Sequence, residues 1–206
     1  MTTFDDLVAR AARLAVPGER HLLGICGPPG AGKSTLATRL VEALRPNAVY
    51  VGMDGFHLAQ VELDRLGRAE RKGAPDTFDA AGYVHLLTRL RAHTEETVYA
   101  PEFRREIEEP IACAVPVPAA VPLVVTEGNY LLLPVPPWSR VRALLDEVWF
   151  LAPDEDLRRQ RLIDRHRAYG RSVDAARERT LGSDEANALR VNPTAHSSDL
   201  VLRKIP

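Results

Sequence analysis

Cysteine is almost missing from this sequence. Cys26 and Cys113 are the only two among 206 residues, and two isolated thiols can build neither a disulfide framework nor a structural zinc site. Long apolar runs are missing as well, none approaching the roughly 18–20 residues that span a bilayer. The opening stretch MTTFDDLVARAARLAV mixes acids and bases at helical spacing, which reads as an amphipathic helix rather than a signal peptide. Neither charge sign is in excess. A net charge of −1 and a pI near 6.6 argue against a nucleic-acid surface, which shows a strong basic balance. Aromatic residues make up only 6%, and Phe56, Phe78, Tyr83 and Phe103 are expected to pack rather than to recognise a ligand. These absences point to a soluble, cytoplasmic protein with no membrane or nucleic-acid partner.

What is present is one sizeable core: 45% of residues are apolar and 27% charged, enough for a single domain over 1–206 and short for two. Strand-like and helix-like segments alternate. HLLGIC (21–26), AVYVGMD (48–54), LVVTEG (123–128), EVWFLA (147–152) and DLVLR (199–203) read as strands, while TLATRLVEAL (35–44), YVHLLTRLRAH (83–93), the segment 154–170 and DEANALRV (184–191) carry helical periodicity. Buried strands linked by helices imply an α/β fold with a mostly parallel central sheet. The proline-rich stretch 101–122 reads as a long loop, of the kind that serves as a lid or binding segment.

GPPGAGKS (27–34) fits G-x-x-x-x-G-K-[ST] and lies between a strand and a helix, where such a loop can cradle phosphates. The backbone from Gly27 through Pro28, Pro29, Gly30, Ala31 and Gly32 is expected to turn its amides inward, with the positive end of the helix behind them. Lys33 would supply a charge for the β and γ phosphates, and Ser34, or else Thr35, a hydroxyl for Mg²⁺. The chain is therefore expected to bind a nucleoside triphosphate. No guanine-reading N/T-K-x-D stretch occurs, and LVVTEG ends in the single acid Glu127 rather than an acidic pair. Glu127 falls at the carboxyl edge of a strand, where open α/β sheets place ligands; a capping or salt-bridged carboxylate is the alternative.

MDGFH (53–57) closes the next strand. A right-handed crossover puts Asp54 on the phosphate-loop edge of the sheet, where it can take the proton of an attacking hydroxyl. Gly55 would let the substrate approach the backbone. Asp54 as a mere helix cap is the other option, and His57 reads equally as a substrate contact or a loop histidine. In RKGAPDTFD (71–79), Lys72 could balance phosphoryl charge and Asp79 could hold a substrate hydroxyl or cap the next helix. Arg105 could reach an acidic substrate group or lie on the surface. Arg158, Arg161 and Arg165 recur at i, i+3 and i+7, so they can form one cationic face, either a lid over phosphates or a solvated surface.

GPPGAGKST, MDGFH, RKGAPDTFD and TEGNYLLL, in that order and spacing, resemble the P-loop small-molecule kinases that include uridine kinase, phosphoribulokinase and bacterial type I pantothenate kinase. The similarity runs over roughly residues 20–203 and looks closest to the bacterial branch labelled nucleoside/nucleotide or fructose-transport-system kinase. It implies a three-layer α/β/α P-loop fold with a helical lid at about 154–172, use of ATP and Mg²⁺, and a small-molecule hydroxyl as acceptor. Asp54 would be the base, Lys72 an active-site lysine, and Glu127 would lie near Mg²⁺. Arg161 and Arg165 would be the lid arginines. Asn187 would lie on the segment that passes the adenine, and members are often homodimers. Two departures stand out: VYAPEFRREIEEP (98–110) replaces the uridine kinase substrate-loop pattern, and the N-terminus is much shorter than in pantothenate kinases. A regulatory nucleotide switch without a phosphoacceptor is the alternative from another class.

Overall fold

The structure is a computed structural model, described here over residues 2–204. Five strands, β1 (His21–Cys26), β2 (Ala48–Gly52), β5 (Leu123–Gly128), β6 (Glu147–Leu151) and β7 (Leu200–Leu202), form one sheet in the order β2-β5-β1-β6-β7. Every pairing in it is parallel. Successive residues of β1 alternate between two cores. Leu22 and Cys26 join a cluster with Tyr83, Leu87, Tyr130 and Trp138, while Leu23 and Ile25 join Leu7, Ala11, Leu36 and Leu40. Alternate side chains leave a strand on opposite faces, so the sheet is covered on both sides. Helix α1 (Phe4–Ala12) and helix α2 (Lys33–Ala43) close one face, and α4 (Ala80–Ala92) closes the other. The three-layer α/β/α architecture expected from the alternation is thus present.

Helix α3 (Gln60–Arg65) follows the second strand, and α5 (Glu155–Ala168), α6 (Val173–Arg179) and α7 (Glu185–Val191) follow β6. A π-helical turn, Thr180–Asp184, joins α6 to α7. Among the described residues no helix is long and apolar enough to cross a membrane.

Two expectations are corrected. The stretch 101–122 is mostly not a loop: β3 (Thr97–Arg104) and β4 (Glu109–Pro118) pair as an antiparallel ribbon, with a register shift between Ala100 and Glu102. A two-stranded ribbon leaves the outer edge of each strand unpaired, and a proline, which has no N–H to donate, is tolerated at such an edge or at a bulge. Val98, Ala100 and Val117 are buried and anchor the ribbon in the α4-side core.

The second correction concerns AVYVGMD. The strand stops at Gly52, whose partner is Glu127, and Met53–Phe56 form a 3-10 turn. Asp54 therefore sits on a turn past the sheet edge, not on the strand. Gly55 does not leave room for a substrate. A Cβ there would stand 2.6 Å from the carbonyl oxygen of Pro101, so the absent side chain is what lets the β3–β4 ribbon seat against this turn.

Candidate active site

The phosphate-loop segment joins β1 to α2. Gly30 and Gly32 take φ of +79° and +91°, a left-handed conformation that other residues adopt only with strain. Gly32 is the N-cap of α2, and no side chain caps that helix. The first amides of α2 are thus left to whatever lies in front of them, the arrangement that binds anions at helix N-termini. Lys33, the first residue of the helix, is buried, and its Nζ donates to Pro28 O at 3.1 Å and to Asn129 Oδ1 at 2.7 Å. Neither acceptor is charged. Burial lowers the Lys33 pKa, with Arg165 adding to the effect and Glu127 and Asp54 opposing it.

Glu127 is 3% exposed at the end of β5. One of its oxygens, Oε1, accepts from Ser34 Oγ at 3.0 Å and from Tyr50 OH at 2.7 Å. Burial, and then the charge of Asp54, push its carboxyl above the usual glutamate range. Asp54 is held in the opposite direction. Burial works against its charge, but the facing His57, Arg105, Lys33 and Arg165 outweigh it and keep its carboxyl below the ordinary value. Since burial also lowers the His57 pKa, at neutral pH the lysine and arginines carry that effect. Arg105, in the turn between β3 and β4, donates from Nη2 to Asp54 Oδ2 at 3.1 Å.

A cavity of about 440 Å³ brings together Lys33, Ser34, Asp54, His57, Lys72, Arg105, Glu127, Arg165 and Asn187. A smaller one of about 140 Å³ shares Ser34, Asp54, Phe103, Arg105 and Glu127 with it. Pro29 is the part of the glycine-rich loop that reaches the larger cavity. His57 lies between the rings of Phe78 and Phe103, at centroid distances of 4.0 and 4.7 Å. Phe103 lines both cavities and so has more than a packing position. Lys72 Nζ donates to Glu108 O at 2.6 Å and Gln60 Oε1 at 3.2 Å. Asn187 Nδ2 donates to Gly73 O at 3.2 Å, which ties α7 to the Lys72 segment.

Thr35, Asp79 and Arg161 are exposed and do not line the cavity. Asp79 is the N-cap of α4, its Oδ1 accepting from Gly82 N at 2.8 Å; the capping alternative is the one observed. The three arginines do not act as one stripe either. Arg158 is fully buried, donating to Glu155 and Glu185 at 2.6 Å each and to Pro29 O at 3.3 Å. It fastens α5 to the phosphate loop and to α7. Arg161 points to solvent, and Arg165 alone reaches the cavity. Burial, and then the neighbouring Arg105, lower the Arg165 pKa.

Several site groups lay outside the sequence-based selection. Asn129, two residues past Glu127, holds the lysine, and Tyr50, inside a strand, holds the glutamate. Asp184 and His166 meet at 2.7 Å on the cavity wall. Only Asn129 had a signal, its place beside Glu127 at a strand's carboxyl end.

The residues fit a triphosphate and a hard cation. Lys33 and Ser34, in the uncapped first turn of α2, line the cavity, and among the described residues no carboxylate pairs with the lysine. Ser34 Oγ and Glu127 Oε1 offer a pair of hard oxygens 3.0 Å apart. Among the described residues no group of three or more His, Cys, Asp or Glu could hold a metal ion; Mg²⁺ bound with a nucleotide takes most of its ligands from phosphate and water.

A phosphate loop at the first strand of a parallel sheet, with two carboxylates at the same edge and a basic helix beside it, defines a P-loop kinase. The sequence model of the phosphoribulokinase/uridine kinase family matches residues 22–206. A Schizosaccharomyces pombe protein named "Putative uridine kinase C227.14" is 33% identical over all of this chain and 92% of its own length. Escherichia coli YggC is 33% identical over 90% of this chain and 78% of its own. Among solved structures, a "putative fructose transport system kinase" from Silicibacter sp. TM1040 superposes with a TM-score of 0.87 at 33% identity, over 98% of this chain and 100% of that one. Saccharomyces cerevisiae YFH7 shares the fold, with a TM-score of 0.85 at 17% identity over the whole of both chains. The chain belongs to the phosphoribulokinase/uridine kinase family. It is an ATP-dependent phosphotransferase acting on a hydroxyl of a small molecule.

Proposed function

We propose that the protein transfers the γ-phosphoryl group of Mg-ATP to a hydroxyl of a sugar, glycerate, pantothenate-like or nucleoside acceptor, with Asp54 as the base. The observation that carries this reading is the meeting of Asp54, Lys33, Ser34 and Glu127 in one cavity. Lys33 and the α2 amides hold the phosphates. Ser34 and Glu127 would hold Mg²⁺, which would supply charge neutralisation for the phosphates. Asp54, ionised at neutral pH, accepts the acceptor hydroxyl's proton as that oxygen bonds to phosphorus. The bond from phosphorus to the leaving ADP oxygen breaks, and its electron pair stays with ADP. Arg165 reaches the cavity from α5 and faces the charge that spreads over the transferred group. Arg161 is exposed, does not line the cavity and has no part in this proposal.

The test is ADP formation from Mg-ATP with a panel of sugars, glycerate, pantothenate and nucleosides, with Asp54→Asn as control. One compound should stimulate turnover, and the variant should lose about 10²- to 10⁴-fold in rate while still binding ATP. Stimulated turnover that survives the substitution would remove Asp54 as the base.

A further inference from the structure

We infer that the phosphoacceptor is a small hydroxylated anion, whose carboxylate or phosphate is read by Arg105 and Lys72. This deepens the function proposed above and rests on it.

The cationic groups around the larger cavity outnumber what the nucleotide needs. Lys33 and the open helix amides already face the triphosphate position, with Arg165 approaching from α5. Lys72, on the segment after α3, and Arg105, in the ribbon turn, line the same cavity. They stand about one aromatic ring: Lys72 Nζ is 5.7 Å and Arg105 Cζ 5.9 Å from the centroid of Phe103. Lys72 Nζ donates to a main-chain carbonyl and to the neutral Gln60 side chain, and among the described residues no carboxylate pairs with it. Among the described residues the carboxylate that pairs with Arg105 is Asp54, the base itself.

That pair is a poor resting place for both groups during turnover. Arg105 and Asp54 are 35% and 29% exposed, and a partly exposed ion pair opens at small cost. A base bonded to a guanidinium is also a weaker proton acceptor. An acceptor anion would give Arg105 a second ionic partner and draw it off Asp54. Arg105 and Lys72 can each contribute parallel or converging N–H donors to a carboxylate or phosphate.

The neighbouring histidine adds a second requirement. His57 Nδ1 faces the carbonyl oxygen of Asp54 at 2.8 Å. A carbonyl can only accept, so Nδ1 carries the proton, and in the neutral ring Nε2 is left as an acceptor. A further hydroxyl on the acceptor molecule would match it.

The experiment compares acceptors that differ only in the anionic group: glycerate with glycerol, gluconate with sorbitol, pantothenate with panthenol, and ribose 5-phosphate with ribose. The first three pairs test a carboxylate and the last a phosphate. Stimulation of ADP formation by one anion, with its neutral counterpart at least tenfold weaker in kcat/KM, is expected. Arg105→Gln should raise the acceptor KM about tenfold or more, leave the ATP KM unchanged and narrow the gap between anion and neutral counterpart. A neutral compound that serves as well as its anion, or an Arg105→Gln protein that keeps the anion preference, overturns the inference while leaving the kinase function intact. If none of the compounds is turned over, calorimetric titration of the same pairs into the Mg-ADP-bound protein decides. No anion binding, or binding that Arg105→Gln and Lys72→Gln both leave unchanged, also overturns it.

Discussion

Gly55→Ala isolates the contact between the ribbon and the turn that carries Asp54. The added Cβ would lie 2.6 Å from Pro101 O, 2.8 Å from Pro101 C and 3.1 Å from Pro101 Cγ. A carbon normally approaches a carbonyl oxygen to about 3.3 Å. Two of the three obstructing atoms are main chain, so no rotamer change relieves the overlap, and ribbon and turn must part by roughly 0.7 Å. Overpacking of this kind costs about 1–3 kcal/mol. For a chain of this size each kcal/mol lowers Tm by about 2–4 °C, so a loss of roughly 2–12 °C is expected. Catalysis should suffer more than stability, because displacing a reacting group by about 1 Å can cost about 10²-fold in rate. The phosphate loop lies on other elements, so ATP affinity should be unchanged. Gly182→Ala is the control: a Cβ added to that helical glycine would have nothing within 4 Å, and alanine there should be neutral or stabilising by up to about 1 kcal/mol. Thermal unfolding, nucleotide titration and phosphotransfer rates measure the three quantities. A Gly55→Ala protein with wild-type Tm and kcat within twofold of wild type would refute the claim that this contact positions the base.

Two further outcomes follow from the buried carboxylate. Glu127 takes up its proton at higher pH in the folded protein than in the unfolded chain, so its charge costs stability at neutral pH, and that cost disappears as pH falls through its folded pKa. Glu127→Gln should therefore raise the metal-free Tm at pH 7–8 by the equivalent of about 0.5–2 kcal/mol, lose this advantage toward pH 4, and abolish phosphotransfer; scanning calorimetry across pH checks it, and a variant less stable at pH 8 contradicts it. Tyr50→Phe removes one of the two hydrogen bonds that orient Glu127 Oε1. Loss of such an outer partner typically weakens metal binding by 10- to 100-fold, so the Mg²⁺ concentration for half-maximal activity should rise by about tenfold while the ATP-binding loop stays intact, and an unchanged Mg²⁺ curve would leave Tyr50 with a packing role only.

The parts of the site that could be read from the sequence are those whose geometry is local. A strand, a glycine-rich turn and a helix occur within 21–43, so the direction of the Lys33 and Ser34 region followed from chain order alone. Glu127 was legible for the same reason, as the last acid of an apolar strand. The arginine helix was not. Spacing at i, i+3 and i+7 shows which residues share a face but not what the face meets, and Arg158 is captured by Glu185, 27 residues further on. The ribbon was hidden by its prolines, which argue against a central strand but not against two strands that each keep a free edge. That one missing element also explains the misread glycine. A loop over 101–122 leaves nothing except a substrate to occupy the space beside Gly55. Once β3 is in place, Pro101 fills it, and the same ribbon delivers Arg105 to Asp54. The acid at the strand end and the glycine after it thus answer to different neighbours: Asp54 faces the cavity, and Gly55 admits the ribbon whose turn supplies the facing cation.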